Sequence, residues 1–567
     1  MPTRLKRSHI LVLIIFTTYS ALSFSQDIYL KLEGATDKET SIVDSLSYVK
    51  NFKDISTLLL EKERFEKQLH KLGFIEIKGI SSTKSNDSTY LTQYSIGKQY
   101  RFLKVYYEKK LVPDDILKAV ADDFQSDYFI IPFVDIENKL NDINGELANR
   151  GTPFKTLQLK NIQVTDNNTL RADLIISKDL KRTIDKIVMN GYEKFPRSFL
   201  KRYLKIRLNE DFNLDDIKQR TEALNELPFA SQIKSPEVLF TKDSTSLYMY
   251  MEKRPSNTFD GFLGFGTNET NNKIEFDGYL NLNLTNNLNY GESIKLLYKS
   301  DENEQKTFEG RLELPYIFGS PIGSELRLNI FKKDSSFTNV NQFAKLFYQI
   351  NPKSKVLLGI SATQSNDLLD TASTTLINDY DNTFYNLGYS YMSRQGFNSL
   401  FPINFNLDFE AGTGHRTFEG TELNQVSFIY DVFKIFNLNS KNSIYLRSTG
   451  SFLFSDNYFF NELYRFGGIN SIRGFEENSL FASSYALINS EYRYQLSKSI
   501  YINSIIDAAY FENDLSNTEE KLFGFGFGFG LLTNSGLLKF NYANGKNERQ
   551  NFKFSDSKIH ISLTAQF

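Results

Sequence analysis

Apolar and polar residues follow different patterns in the two halves of this chain. Over residues 27–254, stretches with a helical period alternate with short stretches in which every second residue is apolar. Beyond Pro255 only the two-residue pattern continues, in short segments separated by Asn, Gly, Ser and Asp. Mixed periods are typical of α+β folds, and a repeated two-residue period is typical of antiparallel strands. The sequence therefore predicts an α+β region followed by an all-β region.

The α+β region repeats the order strand, helix, helix, strand, strand three times, in about 70 to 80 residues each. The predicted helices span residues 42–49, 55–72, 113–122, 136–148, 196–206 and 214–224. A phenylalanine stands where each second helix gives way to a strand, at Phe74, Phe154 and Phe229. This order resembles the POTRA (polypeptide-transport-associated) module, and the alternative is one α+β domain with a coincidental period. We predict POTRA-like modules at residues 26–98, 99–180 and 181–255.

The all-β region, residues 256–567, has the alternation expected of strands with one lipid face and one wet face. In residues 274–284, Phe276, Leu280 and Leu282 share one face while Asp277 and Asn281 share the other. Four phenylalanines in residues 523–529 alternate with glycines, and no helix follows, which argues against a nucleotide-binding glycine loop. About sixteen such segments suit tilted membrane strands. We predict a transmembrane antiparallel β-barrel of about 16 strands; the alternative is a soluble β-sandwich or propeller.

The first residues have the composition of a secretory signal peptide. Three basic residues precede an apolar run at residues 10–16, and Ser23 and Ser25 precede a predicted cleavage site at Gln26. The alternative is an uncleaved anchor, but the apolar run is shorter than the ~20 residues of a helical span. We therefore predict a signal peptide at residues 1–25 and an exported mature protein.

Composition narrows the classes of function. The chain has no Cys and no Trp, and its 50 Phe and 32 Tyr residues can supply the aromatic girdles of a membrane barrel. Without Cys there is no disulfide, no thiolate ligand and no lipidated N-terminal cysteine. The four histidines form no evident metal cluster, and a net charge of -2 gives no reason to expect nucleic acid. We expect neither an enzyme nor a cofactor, with a carboxylate site in an outer loop as the open alternative.

The most specific motif lies in residues 465–475, in a long connection followed by about five strands. It contains Ile472, Arg473, Gly474 and Phe475. This sequence resembles the Val/Ile-Arg-Gly-Phe/Tyr motif of the BamA/TamA superfamily of barrel assembly and translocation proteins. The resemblance implies that the loop folds back into the barrel lumen, where its arginine packs against acidic residues of the wall.

Two acids are predicted to stand on that wall. In residues 485–496 the even positions are mostly apolar, which turns Glu491 inward, and in residues 500–510 the same argument turns Asp507 inward. Asp507 matches the wall aspartate of the family, and Glu491 lies on the preceding strand. A charge-assisted contact of Arg473 with Asp507 would pin the loop across the channel. The alternative is a surface-loop arginine in water.

Two further segments match the family. Residues 528–543 look like its penultimate hairpin, although Asn534, Ser535 and Gly536 replace the usual proline at the turn. The alternating apolar residues 559–567, ending on Phe567, are similar to the C-terminal signal of outer-membrane barrels. Three modules and about sixteen strands look closest to the TamA-like branch.

The resemblance implies a cell outer membrane location, with the modules in the periplasm, and an activity in protein assembly or insertion. In this family the first and last barrel strands pair to close the barrel. Gly261, Gly264 and Gly266 in the first strand predict a weak seam with the last strand, which contains Leu563 and Phe567. Expected partners are the outer-membrane lipid bilayer, unfolded outer-membrane or secreted clients and an inner-membrane or periplasmic protein. The alternatives are a two-partner-type secretion transporter and a passive porin.

Overall fold

The computed structural model describes residues 27–166, 168–178, 180–267, 274–300, 305–369, 376–396, 398, 400–533, 536–549 and 557–566. The predicted signal peptide, Asn534, Ser535 and Phe567 lie outside these residues. One compact unit comprises the chain up to Arg182 together with Asp211–Asn213, and the second comprises Thr183–Glu210 and the chain from Leu214 onward. Among the described helices, none is long and apolar enough to cross a membrane.

The first small sheet has the strand order β2-β1-β4-β3. Its elements are β1 (Ile28–Gly34), α1 (Asp37–Ser45), β2 (Asn51–Phe52), α2 (Ile55–Lys71), β3 (Lys78–Lys84) and β4 (Thr89–Ser95). Helix α1 begins at a capping box, in which Thr36 and Glu39 each bond the other's backbone N–H. Helix α2 buries Leu58, Phe65 and Leu69, which lie on one helical face. The two-residue strand β2 is an addition to the predicted order.

The second small sheet has five strands in the order β6-β7-β5-β9-β8. Its elements are β5 (Phe102–Tyr106), α3 (Asp114–Val120), β6 (Asp123–Phe124), β7 (Tyr128–Pro132), α4 (Ile136–Asn149), β8 (Leu157–Val164) and β9 (Thr169–Ile176). The hairpin β6–β7 was not predicted, because strands this short carry little periodic signal. Phe154 also differs from Phe74 and Phe229: it is 47% exposed, whereas the other two are buried.

The third small sheet has the order β10-β12-β11 and the predicted succession of elements. These are β10 (Lys186–Asn190), α5 (Arg197–Arg202), α6 (Leu214–Glu222), β11 (Ala230–Phe240) and β12 (Thr245–Lys253). Helix α5 is shorter than the predicted 196–206. It ends early because Lys205 has a left-handed backbone with φ of 57°, which an α-helix does not accommodate.

The rest of the second unit is a closed antiparallel barrel. Its sixteen strands among the described residues are β13 (Thr258–Thr267), β14 (Ile274–Thr285), β15 (Ser293–Ser300), β16 (Lys306–Leu314), β17 (Ile322–Lys333), β18 (Phe337–Asn351), β19 (Ser354–Asp367), β20 (Tyr380–Arg394), β21 (Ile403–Phe418), β22 (Thr421–Asn437), β23 (Asn442–Phe454), β26 (Ser484–Gln495), β27 (Ile500–Asn513), β28 (Thr518–Thr533), β29 (Gly536–Asn547) and β30 (Ser557–Gln566). Strands β24 (Tyr464–Phe466) and β25 (Leu480–Ala482) pair with each other inside the connection between β23 and β26. The predicted strand number is confirmed.

The barrel wall is apolar outside and polar inside. On β17, Leu326 is 50% exposed and its neighbour Glu325 is 2% exposed; on β27, Ile506 is 54% exposed and Asp507 is 1% exposed. Because successive side chains of a strand point to opposite faces, this alternation separates a lipid surface from a hydrated lumen. In a closed barrel every wall strand has a hydrogen-bonded neighbour on each side. This pairing is needed because lipid contains no water to bond free backbone groups.

Both connections of β27 are short. Four residues separate β26 from β27, and four residues separate β27 from β28.

Candidate functional site

The candidate site is the lumen loop, defined here as residues 455–483, together with the strands that hold it. The loop leaves the wall after β23, forms the hairpin β24–β25 and returns to the wall at β26. Gly467, Gly468 and Gly474 have positive φ angles, which let the chain turn sharply between the two hairpin strands. Ile472, Arg473, Gly474 and Phe475 stand on this turn.

Arg473 is fixed by two carboxylates on the barrel wall. Its Nε donates to Asp507 Oδ2 at 2.8 Å and its Nη2 donates to Asp507 Oδ1 at 2.6 Å. Its Nη1 donates to Glu491 Oε1, and its backbone N–H donates to Asp507 Oδ2 at 3.0 Å. Arg473 is only 6% exposed. The guanidinium thus holds both acids at once and binds Asp507 through two N–H donors, a planar fork geometry that a lysine ammonium does not offer.

A second arginine completes this ion cluster. Arg493 Nε donates to Glu491 Oε2 at 2.7 Å, so Glu491 bridges Arg473 and Arg493. Two guanidiniums therefore face two carboxylates, and the cluster is electrically balanced. Balance matters because a buried charge without a partner is costly.

Gly474 allows the loop backbone to lie against the barrel wall. Its φ is 92°, and a Cβ at this position would lie within 3 Å of the Gly545 backbone in β29. A Cβ on Gly545 would in turn meet the Gly474 carbonyl and the Phe475 ring, both at 2.7 Å. Two glycines therefore face each other where the loop and the strand meet.

Ile472 and Phe475 support the motif from its apolar side. Ile472 is fully buried in a cluster with Phe466 and with wall residues that include Leu487 and Phe511, and Phe475 packs against this cluster. The motif thus has one ionic and one apolar contact with the wall. The structure brings Arg473, Asp507 and Glu491 together; their role in function remains a prediction.

A second anchor of the lumen loop was missed by sequence reasoning. Glu462 accepts hydrogen bonds from Arg416 Nη1 and Gln425 Nε2, both at 2.5 Å. Asn461 is fully buried and donates to Ser365 Oγ and to the Asn378 carbonyl, both at 2.7 Å. The two-residue period of β21 was a usable signal for an inward Arg416. Asn461 and Glu462 lie in a loop, where no period exists.

The seam is the junction of β13 with β30. Among the described residues, two positions pair across it, Thr258 with Gln566 and Phe259 with Ala565. By contrast, β13 pairs with β14 at ten positions and β29 pairs with β30 at eight. The barrel is therefore closed by far fewer backbone pairs at the seam than at the strand junctions beside it.

The predicted seam residues take different places in this junction. Gly264 and Gly266 pair with Asp277 and Glu275 of β14. Thr258 pairs with Gln566 and Phe259 with Ala565 across the seam. If the strands continued in this register, Leu563 would lie opposite Gly261 rather than Gly264. A Cβ on Gly261 would lie 2.8 Å from Leu280 Cα, so this position requires glycine for the close approach of β14.

Comparisons with known proteins bear on the fold. No protein-family profile and no curated protein matches the sequence. The solved structure of CdiB from Acinetobacter baumannii is similar, with a TM-score of 0.53 and 14% identity over 91% of this chain and 100% of that one. CdiB from Escherichia coli has a TM-score of 0.52 and 12% identity over 90% of this chain and 97% of that one.

BamA from Haemophilus ducreyi lacking POTRA domains 1-3 has a TM-score of 0.48 and 13% identity over 82% of this chain and 99% of that one. At identities this low, the likeness to the two CdiB structures shows the fold. The chain is thus a sixteen-stranded barrel of the outer-membrane type with N-terminal α/β modules, an architecture that it shares with CdiB.

Proposed function

We propose that this chain is an outer-membrane assembly factor of the BamA/TamA superfamily, which inserts client proteins through the seam between β13 and β30. The observation that carries this proposal is the two-position pairing of the seam. Strand edges with free N–H and C=O groups recruit further strands by main-chain hydrogen bonding. An opened seam would present two such edges to an incoming client strand.

The lumen loop supports this mechanism. Arg473 ties it to β26 and β27, and Glu462 ties it to β21 and β22, so the loop is bound to the wall at two points. The last barrel strands are therefore braced from inside while β30 keeps few bonds to β13. Such bracing allows the seam to part without collapse of the wall.

The N-terminal modules belong to the proposal as receivers of unfolded clients in the periplasm. The limits 26–98, 99–180 and 181–255 remain predictions, and so do the bilayer, client and inner-membrane partners. Each small sheet has edge strands, such as β10 and β11 in the third, at which an extended client can add a strand.

A disulfide across the seam tests the proposal. The chain has no cysteine, so Phe259→Cys with Ala565→Cys introduces one defined pair at a paired seam position. Oxidation is expected to abolish client insertion into proteoliposomes, and reduction is expected to restore it. The matched control is Leu538→Cys with Leu563→Cys, which joins β29 to β30 without crossing the seam. Full client insertion by the oxidised seam pair would refute the gate.

A second candidate function is a two-partner-type secretion transporter that passes its client through the lumen. The likeness to both CdiB structures over about nine tenths of this chain favours it. Depletion of the protein separates the two functions. Loss of outer-membrane barrels from the membrane proteome supports the assembly factor, whereas loss of one secreted protein supports the transporter. A porin is disfavoured because the anchored loop occupies the lumen.

A further inference from the structure

The lumen contains a polar cavity that neither proposed function uses. Its volume is about 390 Å³, within the size range of small-ligand sites. Wall strands supply amide and hydroxyl groups, among them Asn329, Asn341, Asn386 and Thr363, and the lumen loop supplies Arg465. Carboxamides donate and accept hydrogen bonds at the same time, as does a hydroxyl-rich ligand.

Arg465 is the unusual group in this cavity. Its Nη1 is buried and has no hydrogen-bond partner among the described residues. The guanidinium lies over the Phe331 ring, with Cζ at 3.7 Å from the centroid, and 5.8 Å from the Phe337 centroid. Aromatic faces hold a cation in place but do not accept the strong hydrogen bonds that a guanidinium offers.

The acidic residues of the cavity do not neutralise Arg465. Glu410 is paired with Lys345, and Glu462 is paired with Arg416. Neither lining carboxylate is therefore free to pair with Arg465. By contrast, Arg473 of the same loop has two carboxylate partners. Arg465 can therefore take an anion from outside the chain, because its Nη1 is buried and the lining carboxylates are already paired.

We propose that this cavity binds a hexuronate, a sugar ring that carries one carboxylate. Arg465 pairs with the carboxylate, which supplies the acceptor that its Nη1 lacks. The asparagine and threonine groups bond the sugar hydroxyls, and the Phe343 and Phe384 rings, which also line the cavity, cover the apolar face of the ring. The cavity holds one sugar unit, either free or at the end of a glycolipid.

Calorimetric titration of the full chain in lipid nanodiscs tests this proposal. The probes are free glucuronate, a glucuronosyl diacylglycerol in the disc, neutral methyl glucoside and a short acetylated peptide with a free C-terminal carboxylate. Saturable binding of either glucuronate probe, with at least tenfold weaker binding of methyl glucoside, is expected. Binding of free glucuronate would identify a soluble sugar as the ligand, and binding of the glucuronosyl diacylglycerol would identify a glycolipid. No response to either one, or equal binding of methyl glucoside or the peptide, would overturn the site.

Variants tie the binding to Arg465. Arg465→Gln is expected to weaken glucuronate binding at least about tenfold, because a charge-assisted bond is lost. The control Arg447→Gln changes another lumen arginine, which is paired with Asp431 and does not line the cavity, and should keep the affinity. If Arg465→Gln does not fold, Asn329→Asp is the second variant. Its carboxylate still accepts the hydrogen bond from Asn341 and adds a negative charge to the cavity, so it must also weaken glucuronate binding. Unchanged affinity in the folded variant would end the proposal.

Discussion

At the scale of single residues, the most consequential contact is that of Arg473 with Asp507 and Glu491. Sequence reasoning placed both acids on the inner wall because the two-residue period of a strand assigns each residue to a face. It could not establish that the guanidinium bonds both acids. Glu491 and Asp507 lie 18 and 34 positions beyond Arg473 in the chain, and only the folded loop brings the three side chains together. Arg493, the fourth member of the cluster, lies on β26 with Glu491, and only the folded structure shows that the two side chains bond.

Replacement of Arg473 by Ala should destabilise the barrel by about 3 to 5 kcal/mol, because it leaves Asp507 buried without its cation. The melting temperature of the folded band in a heat-modifiable gel assay measures this loss. Arg473→Lys should lose less stability, since it keeps the positive charge but not the two-donor geometry of the guanidinium. Lys521→Ala is the control, because its pair with Glu548 is solvent-exposed and should be nearly neutral. Equal melting temperatures for Arg473→Ala and the wild type would contradict the stabilising role of the cluster.

At the scale of elements, the third module is held against the barrel by aromatic packing. Phe199 on α5 makes a T-shaped contact with Tyr316, which follows β16, with ring centroids 5.0 Å apart. It also packs on Phe229 of its own module, and Arg202 Nε donates to the Gly319 carbonyl at 2.9 Å. Sequence patterns predicted the helix and the strand. They could not predict this pairing, because helix and strand belong to separate periodic segments.

We expect Phe199→Ala to loosen the third module, since removal of a buried phenylalanine costs about 3 to 5 kcal/mol. Limited proteolysis should then cut within residues 183–255, while the barrel keeps its heat-modifiable mobility. Leu208→Ala in the same module is the matched control, because Leu208 is largely exposed. Equal proteolysis of Phe199→Ala and wild type would show that the contact does not hold the module.

At the scale of the whole molecule, closure of the barrel is uneven around its circumference. Strands such as β27 and β28 pair at fourteen positions, whereas the seam pairs at two among the described residues. Amide groups of β13 that face the seam should therefore exchange with solvent deuterium faster than those of β28. Hydrogen-exchange mass spectrometry on the protein in lipid nanodiscs measures this difference. Uniform protection around the barrel would mean that the seam is as tight as its neighbours.

The pattern of residues along the chain was enough to predict the two-region organisation, the strand number, the inward and outward faces of the wall and the segment that forms the lumen loop. These features are local, because they follow from the period of apolar residues and from a short motif. Which groups meet is visible only in the folded chain: Arg473 bonds two carboxylates, Arg416 bonds Glu462, Arg465 bonds no carboxylate among the described residues, and β13 pairs with β30 at two positions. Such contacts join separate segments, from 18 positions apart for Arg473 with Glu491 to 304 positions apart across the seam, and the period within one segment carries no information about its partner in another.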